Sequence, residues 1–271
     1  MIGSANLNVM IKAARKAGRS LVKDFQEVEN LQVSRKGAGD FVSKADIAAE
    51  KLLKEELMGA RPTYGWLAEE GGETPGEDPT RRWIVDPLDG TKEFIKRNGE
   101  FSVNIALVHE NKAVLGVVFA PVLQTTYVAS LDNGAYKSEQ QQSAVKMQVS
   151  KVGESLRITA SRSHPGPRTQ AYLGKLSETL GPHSFVPMGS SLKSCVVADG
   201  LADLYPRFGK TSEWDTAACQ VIVEEAGGVM QTMQGEPIRY NTKESLLNPE
   251  FMVFGDDSVD WAALYQEVIK K

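Results

Sequence analysis

Apolar residues recur every three or four positions through Leu7, Ile11, Ala14, Gly18, Leu21, Val22 and Phe25, with Lys12, Arg15, Lys16 and Arg19 on the other side. That spacing predicts an amphipathic opening helix. A second helix is expected to start near Ser43, whose Ser-x-x-Asp pattern with Asp46 has the form of a helix cap. It should run to about Gly59, before Pro62 closes the segment. The apolar runs then shorten. "YGWLAEEGGE" and "RRWIVDP", each broken by Gly or Pro, read as strands that end in functional loops. From Phe101 to Lys137 the texture is a meander. "FSVNIALV", "AVLGVVFAPV" and "TTYVASL" are strand-like, and Glu110-Asn111 and Asp132-Asn133-Gly134 supply turns.

Residues 138–152, "SEQQQSAVKMQVSKV", form the most polar stretch and the candidate boundary. Beyond them strands and helices alternate: "LRITASRS", a helix near 167–180, "FVPMG", a helix near 191–199, "ADLYPRF" and a helix near 215–226. Such interleaving predicts parallel α/β layering. A hairpin around Gly235, the strand "FMVFG" and a helix from about Ser258 complete the chain. The expected organisation is an antiparallel α+β half over residues 1–150 and an α/β half over residues 151–271.

Composition narrows the function classes. At 271 residues, with 41% hydrophobic and 24% charged residues, the chain has the make-up of a globular enzyme and is too apolar for disorder. A net charge of −4 without any Lys/Arg run argues against a binder of nucleic-acid polymers, although a single nucleotide needs only a few local cations. Cys195 and Cys219 lie outside any CxxC pattern, which argues against a disulfide framework or a structural zinc site. The first residues lack the charged-then-apolar blocks of a signal peptide, and no apolar run approaches the roughly 20 residues of a membrane span. A reducing, cytoplasmic location is expected.

Acidic residues cluster at the ends of the expected elements: Asp46, Glu69 with Glu70, Asp86 with Asp89, and Asp215. Two aspartates three positions apart after a buried strand are costly unless a positive charge lies between them. In D-P-L-D-G the proline fixes φ and the glycine permits a tight bend, so both carboxylates and the Leu88 carbonyl can face one point. Hard divalent cations such as Mg²⁺ take such oxygen ligands. Each piece also has a plain alternative. Glu69-Glu70 reads as a solvated loop, Asp215 as a helix cap, and D-P-x-D-G as an ordinary turn.

Taken together, "LAEE", "WIVDPLDGTKEF" and "WDTAA" resemble, in order, the motifs of the magnesium-dependent, lithium-sensitive phosphatases related to inositol monophosphatase. The resemblance extends from about Val9 to Gly255. It implies a layered α-β-α-β-α sandwich of the sugar-phosphatase type, with the metal site between the two halves. It makes Glu69, Asp86, the Leu88 carbonyl, Asp89 and Asp215 ligands of about two or three Mg²⁺ ions, with Glu70 supporting a more loosely held one. It gives Asp46, with Thr91, the ordering of the attacking water, with Glu69 in the catalytic set. The implied reaction is in-line displacement at phosphorus. Backbone N–H groups of Gly90 and Thr91 are placed to cradle phosphate oxygens.

The stretch after D-G-T points to the substrate. "DGTKEFIKRNGEF" looks like the 3′(2′),5′-bisphosphate nucleotidases, which convert 3′-phosphoadenosine 5′-phosphate to AMP, and "SRSH", "GSSLK" and "LYPRFG" agree with them. A bisphosphate needs an anion site away from the metals. Lys193 and Arg207 suit it, with Gly189, Ser190 and Asp215 also touching substrate and His164 contacting the nucleotide; the plain alternatives are a solvated helix start for Lys193 and a surface or capping role for His164. The first part of the chain, roughly Ser4 to Glu73, is more similar to bacterial inositol monophosphatases. Hydrolysis of inositol 1-phosphate or histidinol phosphate by the same metal-assisted route is therefore the alternative. The expected partner is a small phosphate ester, and a homodimer stays open. Trp66, Trp83 and Trp261 read as packing.

Overall fold

The computed structural model describes residues 5–30, 35–140, 142–160 and 166–269. Two long helices come first, α1 (Ala5–Asn30) and α2 (Arg35–Ala60). Eight strands follow: β1 (Tyr64–Ala68), β2 (Gly72–Thr74), β3 (Asp78–Asp89), β4 (Ser102–His109), β5 (Lys112–Ala120), β6 (Thr125–Ser130), β7 (Gly134–Glu139) and β8 (Val145–Lys146). They form one sheet in the order β2-β1-β3-β4-β5-β6-β7-β8, antiparallel except for the β1–β3 pair. The short helix α3 (Thr91–Lys96) links β3 to β4.

The rest of the chain supplies β9 (Leu156–Ile158), α4 (Pro167–Leu180), β10 (His183–Phe185), α5 (Leu192–Ala198), β11 (Leu204–Arg207), α6 (Glu213–Glu225), β12 (Val229–Thr232), β13 (Phe251–Phe254) and α7 (Trp261–Ile269). Its five strands pair in the order β10-β9-β11-β13-β12.

Period-two alternation along the strands builds the layers. Trp83 and Val85 of β3 point toward α1 and α2, meeting Leu21, Leu53 and Leu57, while Ile84 between them points the other way. That second face packs on α5 and α6 through Val196, Ala217, Val221 and Val223, and the same cluster takes in Tyr205 and Val253 of the second sheet. On the far side, Ile158, Met252 and Phe254 meet Tyr172, Leu176 and Trp261 of α4 and α7. The result is the expected α-β-α-β-α sandwich. Trp66, Trp83 and Trp261 are all buried. Among the described residues no helix is long and apolar enough to cross a membrane.

Three sequence expectations need correction. The second helix begins at Arg35, well before Ser43, so Asp46 lies inside the helix instead of at its cap. No proline interrupts residues 35–60, and Gly37 and Gly39 weaken a helix without forbidding it. The second sheet is mixed: β9 is parallel to β10 and β11, but β13 runs antiparallel to both β11 and β12. The long return after β12, which turns at Gly235, reverses the chain there. The strand expected at "FVPMG" is centred earlier, on His183–Phe185. The Val186 N–H still reaches the Ile158 carbonyl, and Pro187, with no N–H to offer, ends the ladder.

Gly116 of β5 explains how closely α6 approaches the first sheet. A Cβ there would lie 2.4 Å from the Ala218 carbonyl oxygen and 2.5 Å from Val221 Cγ1. Gly116→Ala is therefore expected to cost about 1–3 kcal/mol. It should also reduce turnover, because α6 carries Asp215. Chemical denaturation beside an activity assay checks this, and an unchanged midpoint would refute the close-contact argument.

Candidate active site

β3 is built to deliver two carboxylates to one place. Its pairing with β4 sets Asp86 opposite Asn104 and Asp89 opposite Ser102, with an irregularity between them. Three steps on one strand face two on the other, so one residue bulges out around Pro87-Leu88. Without the bulge, residues three apart would point to opposite faces. With it, carboxylate oxygens of Asp86, Asp89 and Asp215 all lie within 4.8 Å of one another.

Each carboxylate is held differently. Asp86 is 1% exposed; its Oδ1 accepts the Leu88 N–H at 3.0 Å, while its Oδ2 is buried with no hydrogen-bond partner among the described residues. Burial pushes this carboxyl well above its ordinary range, and the charges of Asp89, Asp215, Glu69 and Asp46 add to the effect. Asp89 accepts from the Ser190 hydroxyl at 2.6 Å and from the Ser191 N–H. Asp215 accepts the Ser212 N–H as the third residue of α6, so it completes a capping box whose N-cap is Ser212, where the plain reading made Asp215 itself the cap. Burial and then Asp89 push it up to about 7.

Glu69 and Asp46 flank the cluster. Glu69 is pushed up to about 7 by lost hydration and by Asp89, Glu70 and Glu50. Because the residue as a whole is exposed, solvent screens the like charges and weakens the shift. Asp46 is buried on α2 and pushed up to about 8, by burial first and then by Glu69, Glu70 and Glu50. Its Oδ1 has no partner among the described residues. Thr91 opens α3 on the exposed side, and the Glu70 side chain is exposed as well.

Several acids that raise one another's pKa, two of them (Asp46 and Asp86) carrying a buried oxygen without a donor among the described residues, form a donor set for a hard cation. Carboxylate oxygens alone, with no His or Cys in the cluster, suit Mg²⁺ better than a softer metal. The residues fit the group.

Beside the acids opens a cleft of about 260 Å³ with the opposite character. Asp89 and Asp215 line it beside Gly90 and Ser190, and five cations, Lys92, Lys96, Lys193, Arg207 and Lys210, outnumber the one further acid, Glu93. Lys193 is buried, donates to the Ser190 carbonyl at 2.6 Å and stands 5.5 Å over the Tyr205 ring. Burial lowers its pKa. Arg207 Nε is buried and has no partner among the described residues. Gly90 holds φ 99°, the left-handed region that favours glycine. Gly189 lines no part of the cleft; a Cβ there would meet Glu93 Cγ at 2.6 Å, so it serves the packing of the 189–191 turn on α3. His164 lies outside the described residues.

Residues 4–263 match the model of the inositol monophosphatase family. The chain belongs to this family. The 3′(2′),5′-bisphosphate nucleotidase CysQ of Escherichia coli K12 is 41% identical over 252 residues, covering 91% of this chain and 98% of the relative. The inositol-1-monophosphatase of Rhizobium meliloti strain 1021 is also 41% identical, over 239 residues, covering 87% of this chain and 88% of that protein. Among solved structures, CysQ from Bacteroides thetaiotaomicron matches with a TM-score of 0.80 at 37% identity, covering 93% of this chain and 97% of that one. The layered sandwich is thus the fold of the inositol monophosphatase family.

Within this inositol monophosphatase-family site, two groups escaped the sequence reading. Glu50, 6% exposed, accepts the N–H groups of both Glu70 and Gly71 at 3.0 Å and so shapes the loop that carries Glu69. Its position one helical turn after Asp46 was the available signal. Ser102 and Asn104 interrupt the inward row of β4, a break in apolar alternation visible in "FSVNIALV".

Proposed function

We propose that the protein is a Mg²⁺-dependent phosphomonoesterase that removes the 3′-phosphate of 3′-phosphoadenosine 5′-phosphate, releasing AMP and phosphate. The observation that carries this reading is the junction of charges: the acid cluster opens directly into a cleft walled by Lys193, Arg207 and Lys210. One substrate phosphate belongs with the acids and their metal. A second needs cations at a distance. A monophosphate of a neutral polyol would leave Arg207 Nε unpaired.

In this reading Glu69, Asp86, Asp89, Asp215 and the Leu88 carbonyl hold the metal, with Glu70 at the rim. When bound, Mg²⁺ supplies Lewis acidity: it draws charge from phosphoryl oxygens and lowers the pKa of water. Asp46 Oδ1, buried and unpaired, is the acceptor we assign for the proton of the attacking water, with Thr91 orienting that water. Lys193 and Arg207 bind the second phosphate. The names of the CysQ relatives support the substrate, while equal identity to an inositol-1-monophosphatase keeps inositol 1-phosphate as the second reading.

A phosphate-release panel with Mg²⁺ tests the choice. The expected result is a kcat/KM for the bisphosphate nucleotide at least about ten times that for inositol 1-phosphate, histidinol phosphate or fructose 1,6-bisphosphate. Arg207→Ala should lower the nucleotide value about 10–100-fold, the loss of a charge-assisted hydrogen bond, and spare inositol 1-phosphate. A ranking that puts inositol 1-phosphate first overturns the nucleotide assignment.

A further inference from the structure

A closed ring of polar groups joins the two arms of the acid cluster. Asp89 ends β3 in the first sheet, whereas Asp215 sits in the first turn of α6 in the central layer. Between them stands Ser191, buried and immediately ahead of α5. Its backbone N–H donates to Asp89 Oδ2. Its hydroxyl donates to the main-chain carbonyl of Asp215 at 2.9 Å and accepts from Asn104 Nδ2 at 3.0 Å. Asn104 Oδ1 accepts from Ser102 Oγ at 2.9 Å. Ser102 Oγ lies 2.8 Å from Ser190 Oγ, the other donor to Asp89 Oδ2.

The ring sits where packing alone would call for apolar side chains. Ser102 and Asn104 begin a row of β4 that continues as Ala106 and Val108 in the central core. Most of these buried polar groups satisfy one another, but the Ser102 and Ser190 hydroxyl protons go to Asn104 and Asp89, so the Ser102–Ser190 approach closes the ring by contact. Of the ring members, only Asp89 and the Ser191 N–H belong to a direct hold on a carboxylate from the main chain. The Ser191 side chain fixes where that N–H lies relative to β4 and to α6.

We infer that Ser191 is a positioning residue that sets the spacing of Asp89 and Asp215, and with it the affinity of the acid cluster for its cation. The inference rests on the metal-site reading above. In Ser191→Ala the N–H to Asp89 remains, but its ties to Asn104 and to the Asp215 carbonyl are gone. The two carboxylates then lose their common reference. Outer hydrogen bonds of this kind typically govern metal affinity by about 10–100-fold.

The test uses the full chain, freed of metal by a chelator and dialysed, with MgCl₂ titrated by calorimetry and by thermal shift. Ser191→Ala is expected to raise the Kd for Mg²⁺ by about 10–100-fold. Asn104→Ala should act in the same direction, and the double variant should lose no more than the larger single effect, since both break one ring. Val196→Ala, in the buried face of α5, should lower the melting temperature and leave the Kd unchanged. Wild-type Mg²⁺ affinity in Ser191→Ala overturns the inference, as does an equal weakening in Val196→Ala. If Ser191→Ala does not fold, Asn104→Ala decides alone. A wild-type protein that ignores Mg²⁺ sinks the metal-site reading itself, a result distinct from intact binding that Ser191 does not influence.

Discussion

Asp86→Asn is expected to lower kcat by about 10³-fold or more, the several kcal/mol that a lost metal contact represents, and to raise the melting temperature of the chelated protein. The two effects have one cause. Asp86 is buried among other acids, and its Oδ2 has no donor. A carboxyl there must either stay charged without a counter-charge or take up a proton. The amide keeps the Oδ1 acceptor for the Leu88 N–H and turns N–H donors toward Asp89 and Asp215. A gain on the order of 2 kcal/mol would appear as about 4–8 °C in a chain of this size. Calorimetry on chelated wild type and variant, beside phosphate release, gives both readouts. A variant that is active, or that melts lower than the wild type, contradicts the assignment of Asp86 as a metal ligand.

The second large effect is on pH. After chelation, the melting temperature should fall steadily as pH rises from about 5 to 8, and saturating Mg²⁺ should flatten the curve. The sign follows from the direction of the shifts. Asp46 is raised from 3.8 to about 8 and Asp215 from 3.8 to about 7, with Glu69 raised from 4.5 to about 7. Below the ordinary carboxylate range both folded and unfolded chains are protonated, and these groups contribute nothing. Between that range and the raised values, the folded chain keeps protons that the unfolded chain has released. Each such proton costs up to about 1.4 kcal/mol per pH unit, less at exposed Glu69. Above pH 8 the slope ends. Mg²⁺ replaces the protons, so its stabilisation grows with pH and reaches about 2.7 kcal/mol at a concentration of 100 Kd. A flat profile in the chelated protein, or a Mg²⁺ effect larger at pH 5 than at pH 8, would count against the cation-deficient cluster.

The parts of this structure that announce themselves in the sequence are those with local causes. D-P-L-D-G must bend wherever it occurs, and the alternation of "FSVNIALV" predicts a two-faced strand without knowledge of its neighbours. The order of layers is what the family resemblance implies; periodicity alone gives an antiparallel α+β half followed by an α/β half. What was not legible depends on non-local pairing. Nothing near "FMVFG" says that it will run antiparallel to its neighbours, because that is decided by the return path from Thr232 to Phe251. A plausible cap at Ser43 hides the true start of the second helix, because the stretch before it is only weakly helical. The role of Glu50 is not legible locally, since its partners, the N–H groups of Glu70 and Gly71, become neighbours only after folding. Ser102 and Asn104 gain their partners only when folding brings Ser190 and Ser191 from almost ninety residues away.

From Thr216 to Val223 every residue of α6 is buried, with sheets on both sides. Such a segment has no outward face on which drift is cheap. Natural variation and laboratory libraries alike should find it nearly closed, while α1, with Lys12, Arg19 and Lys23 in solvent, absorbs changes freely. The acid at the head of α6 thus stands on one of the least mutable pieces of the molecule. Shifts in substrate preference within this architecture would have to come from the loops that rim the cleft.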